Sequence, residues 1–106
     1  MEFKNILLEE KEGIAYVTLN RPKALNALNT EVLSELDSAF RYIDKTEDIR
    51  TVIVTGSGRA FIAGADIAQM SALDGTEGRD MTIQGQKVME LIENINKPVI
   101  AAVNGF

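Results

Sequence analysis

A turn of small residues lies near the middle of the chain, within Phe61-Ile62-Ala63-Gly64-Ala65-Asp66-Ile67. We expect it to join an apolar run to the start of a short helix, where backbone N–H groups have no partner within the helix. Such N–H groups can hold the oxygen of a reacting carbonyl while negative charge develops on it. Gly64 lets a ligand approach the main chain closely. A connection that only needs a permissive backbone is the alternative.

Several other kinds of site do not fit the sequence. The chain has no Cys and no His, which excludes thiolate chemistry, imidazole bases and the usual zinc ligands. Gly56-Ser57-Gly58 lacks the third glycine of a dinucleotide-binding fingerprint, because position 61 is Phe. The carboxylates of the central region have no metal-ligand spacing; they are Asp66, Asp74, Glu77 and Asp80.

The charge and hydropathy of the chain limit its partners. With 11 basic and 16 acidic residues the net charge is −5, which offers no general attraction to nucleic acid. Arg21, Lys23 and Arg59 nevertheless lie beside the candidate loops, where a small anionic ligand could use them. No apolar run approaches the roughly 20 residues of a membrane span. We therefore expect a soluble, cytoplasmic protein that binds neither nucleic acid nor membrane.

The first half of the chain predicts a hairpin and then a helix. Two β-rich runs, at 3–8 and 14–19, flank Lys11-Glu12-Gly13, and Pro22 stops the second run. Asn29-Thr30-Glu31 supplies a cap and an early carboxylate for a helix. The apolar positions of this helix follow helical spacing; they are Val32, Leu33, Leu36, Phe40 and Ile43.

The second half predicts strands that alternate with helices. We expect a strand at 51–55 that is buried on both faces, a short helix at 65–70 and a loop at 75–78. A second long helix must end before Pro98, and a second buried strand follows at 99–103. The stripe of this helix consists of Met81, Val88, Ile92 and Ile95. This order of elements is typical of an α/β architecture with right-handed crossovers.

Three segments together carry a resemblance to a known family. They are Asn20-Arg21-Pro22-Lys23-Ala24-Leu25-Asn26-Ala27-Leu28, Ala63-Gly64-Ala65-Asp66-Ile67 and Lys97-Pro98-Val99-Ile100-Ala101-Ala102-Val103-Asn104-Gly105-Phe106. In this order and spacing the chain resembles the enoyl-CoA hydratase/isomerase (crotonase) family over essentially all 106 residues, most closely the bacterial short-chain enzymes of the 3-hydroxybutyryl-CoA dehydratase type. The resemblance implies an α/β fold of the ClpP/crotonase type, a spiral of β-β-α units.

The resemblance also implies a reaction. Members of the family add water reversibly to short-chain trans-2-enoyl-CoA thioesters such as crotonyl-CoA, giving 3-hydroxyacyl-CoA, a lyase reaction of fatty acid metabolism. It implies no metal and no redox cofactor, since CoA is part of the substrate, and a homo-oligomer that is a trimer or a dimer of trimers. Two alternatives stay open, namely another reaction of the same superfamily, such as isomerisation, and a non-catalytic CoA-binding or oligomer-forming module.

The resemblance assigns roles to particular residues. It implies that the backbone N–H of Ala65 holds the thioester oxygen in an oxyanion hole. Its neighbours in the turn contact CoA; they are Ala63, Gly64, Asp66 and Ile67. Ala24 and Leu25 line the CoA site as well. For the small residues simple tight packing is the alternative, and for Asp66 a helix N-cap is the favoured role.

Two departures from the family pattern limit what the chain can do. Ala68 stands where several members carry a Lys that would sit near a CoA phosphate. The second oxyanion N–H and the two Glu residues that act as acid and base lie in the family beyond Gly105, and Glu77, Glu90 and Glu93 do not match them. We therefore expect residues 1–106 to be the N-terminal part of a crotonase-like domain, truncated before the acid–base region and inactive alone.

Overall fold

A four-stranded mixed sheet organises the part of the chain that the computed structural model describes, residues 2–64 and 75–106. Its strands follow chain order across the sheet, β1 pairing with β2 antiparallel and β2, β3 and β4 pairing in parallel. The strands are β1 (Ile6–Lys11), β2 (Ile14–Leu19), β3 (Thr51–Gly56) and β4 (Val99–Ala101), and the described helices are a 3₁₀ turn (Pro22–Ala24), α1 (Thr30–Lys45) and α2 (Gly75–Asn94). The predicted α/β order is confirmed.

The β1–β2 hairpin turns on two residues, Glu12 and Gly13, whose φ values are 54° and 83°. Left-handed φ at both central residues matches the twist of the flanking strands. The first strand begins at Ile6 and runs to Lys11, so the predicted span of 3–8 is wrong at both ends. Because β1 lies at the edge of the sheet with its last three residues exposed, charged side chains fit a strand there.

Helix α1 begins where its cap predicts. The side-chain oxygen of Asn29 accepts a hydrogen bond from the N–H of Val32 at 2.8 Å, which satisfies one of the free donors of the first turn. The apolar stripe of α1 is fully buried, with Phe40 at its centre. Packing of this stripe against the sheet gives the helix most of its stability, because isolated helices of this length are marginal in water.

The sheet buries one face. Ala15, Val17 and Val52 belong to the core together with α1, whereas Tyr16 and Ile53 on the opposite face are half-buried and Ile100 is 52% exposed. The prediction that 51–55 is buried on both faces is therefore wrong for the described residues. The second buried strand predicted at 99–103 is also wrong in extent and burial, because β4 ends at Ala101 and residues 100–103 are exposed. An apolar run shows only that both faces tolerate burial, and here only one of them is packed by described elements.

Helix α2 also corrects a prediction. Residues 75–78, expected to be a loop, form its first turn. Glycine lowers helix stability by only about 1 kcal/mol relative to Ala, so Gly75 and Gly78 weaken this turn without forbidding it. The helix carries Met81 and Val88 into the core and ends before Pro98, as predicted. The short helix expected at 65–70 lies outside the described residues.

Tyr42 ties α1 to β1 and makes stability depend on pH. Its hydroxyl donates to Glu10 at 2.7 Å, and this hydrogen bond, with desolvation and the negative charge of Glu10, raises the pKa of the phenol. A raised folded-state pKa stabilises the fold below the unfolded value of about 10, and this contribution is lost as the pH rises through the folded value. We expect Tyr42→Phe to have a lower melting temperature than the unchanged chain at pH 8, and this difference should shrink as the pH rises past the unfolded pKa of about 10. A gap that widens with rising pH would contradict this sign.

Candidate functional site

The first loop of the site follows β2. Its 3₁₀ turn is followed by two consecutive residues in left-handed conformation, Leu25 at φ 52° and Asn26 at φ 56°. The N–H of Leu25 donates to the Pro22 carbonyl at 3.1 Å, closing the turn. Asn tolerates this backbone region well, but Leu does so rarely. Strained backbone of this kind persists where the surroundings enforce it, and it is frequent at functional sites.

The second loop follows β3 and contains the small-residue turn. Ala60 is buried, whereas Ala63 and Gly64 are exposed. Gly64 has φ 112°, a conformation that side chains rarely adopt, and a Cβ added there would meet no atom of residues 2–64 or 75–106 within 4 Å. The backbone conformation is therefore a sufficient reason for a glycine at this position.

Two main-chain hydrogen bonds join the loops. The N–H of Ala63 donates to the Leu25 carbonyl at 3.1 Å, and the N–H of Leu28 donates to the Gly64 carbonyl at 2.7 Å. The structure thus brings Leu25 and the neighbouring Ala24 next to the small-residue turn, although they are far apart in sequence. Ala65, Asp66 and Ile67 lie outside the described residues, so their assigned roles stay predictions.

A cavity of about 720 Å³ opens beside this junction, between α1 and α2. Its lining includes Leu28, Leu33, Gly64, Met81, Gly85 and Met89. Met81 belongs to the core, as its place in the predicted stripe implies, and it also lines this cavity, which was not predicted. The overlooked signal is the spacing of Met81, Gly85 and Met89, which at every fourth position share one face of a helix. Glu90 and Glu93, which the resemblance leaves without a role, also line it.

The polar groups of the described region are well satisfied. Every buried side-chain nitrogen or oxygen in residues 2–64 and 75–106 has a hydrogen-bond partner. These same stretches contain no group of three His, Cys, Asp or Glu residues placed to hold a metal ion. Of the helices that the structure describes, none is long and apolar enough to cross a membrane.

The mixed sheet, its helices and the two bonded loops are found together in a known family, and the match to its sequence model shows that the chain belongs to the enoyl-CoA hydratase/isomerase family. The sequence model of that family matches residues 9–106. The crystal structure of an enoyl-CoA hydratase from Bacillus anthracis superposes with a TM-score of 0.94 at 33% identity, over 96% of this chain and 40% of that one. A Mycobacterium smegmatis enoyl-CoA hydratase gives 0.90 at 34% identity, over 94% and 40%. The expected crotonase-like fold is therefore confirmed.

Two curated relatives are more specific. The chain is 49% identical to a short-chain-enoyl-CoA hydratase of Clostridium acetobutylicum and 49% identical to a crotonyl-CoA hydratase of Syntrophomonas wolfei. Each match includes the whole of this chain and 41% of the relative. The chain thus spans about two-fifths of the length of these relatives.

Proposed function

We propose that the whole protein containing this chain adds water reversibly to short-chain trans-2-enoyl-CoA thioesters such as crotonyl-CoA. The observation that carries the proposal is the junction of the two loops, which joins Ala63 to Leu25 and holds the next residue, Gly64, at the edge of an apolar cavity. The two relatives named as short-chain-enoyl-CoA and crotonyl-CoA hydratases support this substrate class.

The chemistry needs a place for negative charge. When water adds to the double bond, charge moves onto the thioester oxygen, and a fixed backbone donor stabilises it better than mobile water does. The proposed donor is the N–H of Ala65. Hydration causes no net oxidation or reduction, so the proposed reaction needs no redox cofactor, and the resemblance implies that it uses no metal either. We assign no acid or base to the described residues, since the resemblance puts both beyond Gly105.

Coenzyme A fits the outer side of the junction. We propose that Ala24, Leu25, Ala63, Gly64, Asp66 and Ile67 contact it. The two loops also touch at a second point, because a Cβ on Gly58 would lie 3.2 Å from Pro22 Cβ. Lys23 and Arg59 flank this contact and are exposed, so two positive charges stand where phosphates of the ligand could bind.

The cavity suits the acyl chain, and Gly85 offers a way to test this. A Cβ on Gly85 would meet only Leu33 Cδ1, at 3.9 Å, so a larger side chain would extend into the cavity. We expect Gly85→Leu to lower kcat/KM for a six-carbon enoyl-CoA about tenfold more than for crotonyl-CoA. A factor of about ten is the usual effect when a pocket loses room for one methylene group of the substrate. Thr76→Leu, at an exposed position of α2, is the control and should change both substrates equally. Equal losses in Gly85→Leu would place the acyl chain elsewhere.

The direct test combines turnover and binding. The whole protein should consume crotonyl-CoA, followed by loss of the absorbance of its conjugated thioester, and CoA should slow amide exchange at Leu25 and Ala63. Protection by CoA without turnover of crotonyl-CoA would favour the binding-module alternative, and migration of a 3-enoyl double bond would favour isomerisation. A cytoplasmic homo-oligomer, a trimer or a dimer of trimers, is our proposal from the resemblance and is checked by mass in solution.

A further inference from the structure

Asn26 joins both loops of the site through one buried amide. The side chain is 1% exposed. Its Oδ1 accepts from the N–H of Arg21 at 2.8 Å, and its Nδ2 donates to the carbonyls of Ser57 at 3.0 Å and Ala60 at 2.9 Å. A buried amide with three such bonds resists displacement, because moving it leaves several polar groups without partners.

The carbonyl of Ala60 is held from two sides. Besides Asn26, it accepts a hydrogen bond from Nδ2 of Asn104 at 3.1 Å, just past the end of β4. Asn104 Oδ1 in turn accepts from the N–H of Gly56 at 3.1 Å. Hydrogen bonds at and around the Ala60 carbonyl therefore connect three segments: the loop after β2 that contains Asn26, the end of β3, and the residues after β4.

The link continues to the small-residue turn. Leu25, the neighbour of Asn26, binds the N–H of Ala63 through its carbonyl at 3.1 Å. Asn26 thus holds one end of the segment 60–63, at the Ala60 carbonyl, and Leu25 holds the other end, at the N–H of Ala63. The left-handed φ of Asn26 is what allows its amide and the Leu25 carbonyl to reach the same segment.

We infer that Asn26 is a positioning residue of the thioester site. Through the Ala60 carbonyl it sets where Ala63 and Gly64 stand, the two residues that directly precede the proposed donor, Ala65. The inference rests on the proposed function. Misplacement of a reacting group by about 1 Å can cost on the order of 10²-fold in rate, so a residue that acts only through the backbone can still control turnover.

Two variants separate the amide from the backbone conformation. Asn26→Asp keeps the shape and an acceptor for Arg21 but replaces the NH₂ donor by oxygen. Asn26→Gly removes the amide and accepts the left-handed φ without strain. Asn94→Asp is the matched control, because its Nδ2 also donates to a carbonyl, that of Glu90 at 2.7 Å, but at an exposed position.

We expect both Asn26 variants of the whole protein to hydrate crotonyl-CoA on the order of 10²-fold more slowly in kcat. The Asn94 variant should stay within about twofold, the usual range for surface substitutions. Circular dichroism and a cooperative melt show which variants are folded.

A spectroscopic readout distinguishes positioning from stability. The absorption of 2,4-hexadienoyl-CoA moves to longer wavelength when its thioester carbonyl is polarised. We expect the unchanged protein and Asn94→Asp to give the full shift at saturation. A folded Asn26 variant should bind the probe with a smaller shift, because the donor no longer points at the oxygen. A merely structural residue would leave the shift of the bound probe unchanged.

Each outcome decides the inference. A folded Asn26→Asp or Asn26→Gly protein with the full shift and normal kcat overturns it. If neither variant folds, Asn104→Asp is measured instead, because the exposed side chain of Asn104 also donates to the Ala60 carbonyl. A smaller absorption shift of the bound probe in this variant supports the inference, and a full shift overturns it. If the unchanged protein shows neither hydration nor a shift, the proposed function itself fails, and the inference falls with it.

Discussion

Replacing Ala65 by Pro is expected to lower the turnover of crotonyl-CoA by the whole protein by on the order of 10²–10³, the usual cost of removing one oxyanion donor. Proline deletes the backbone N–H and keeps a small apolar side chain. Ala65→Gly retains the N–H and loses only a methyl group, so it should keep most of the activity. The comparison therefore isolates the donor from the packing of the residue.

The rates of this pair can be compared only if the Pro variant is folded. Proline restricts the residue before it, which here is Gly64, and glycine accepts more backbone conformations than any other residue. Circular dichroism must show that the Pro variant is folded before its rate is interpreted. A folded Ala65→Pro protein with near-normal turnover would make Ala65 a packing residue and remove the central assignment of the site.

Gly56→Ala is expected to destabilise the chain by about 2–3 kcal/mol, the upper part of the usual cost of overpacking. A Cβ on Gly56 would lie 2.6 Å from the Ala60 carbonyl oxygen, 2.7 Å from that of Phe61 and 2.8 Å from Asn26 Nδ2. Two of these atoms are main chain and the third is fully hydrogen-bonded, so none can move freely. The midpoint of urea unfolding measures the loss.

Gly85→Ala is the matched control for stability. It adds the same methyl group in the interior of α2, where the nearest described neighbour of the new Cβ would be Leu33 Cδ1 at 3.9 Å. Because glycine weakens a helix interior, we expect this variant to gain about 0.5–1 kcal/mol. If the Gly56 and Gly85 variants unfolded at the same midpoint, the close packing around Gly56 would be absent.

Local signals in the sequence predicted the helices and strands well where one physical effect dominates. The Asn29 cap and the stripe of α1 depend on neighbouring residues, and both are confirmed. The prediction of a loop at 75–78 is wrong because two glycines favour a turn locally, whereas the burial of Met81 and Val88 in the same helix outweighs their cost. The one-sided burial of the sheet depends on which elements pack against each face, which no strand sequence reveals.

The site was predictable in part. The segments around Leu25 and Gly64 could be selected from residue types, and the structure places them side by side. The sequence gives Asn26 no role of its own, because its hydrogen bonds reach residues more than 30 positions away. The cavity depends on how α1 and α2 pack, so it could not be inferred from either helix alone.

The bonds around Ala60 also fix the length of a surface loop. Loops usually accept inserted residues at small entropic cost. In the stretch between Gly56 and Gly64, however, the carbonyls of Ser57 and Ala60 and the N–H of Ala63 are all held by the Asn26 loop. One extra residue would shift at least one of these groups out of register with its partner. We therefore expect homologous chains that keep these hydrogen bonds to keep the length of this loop.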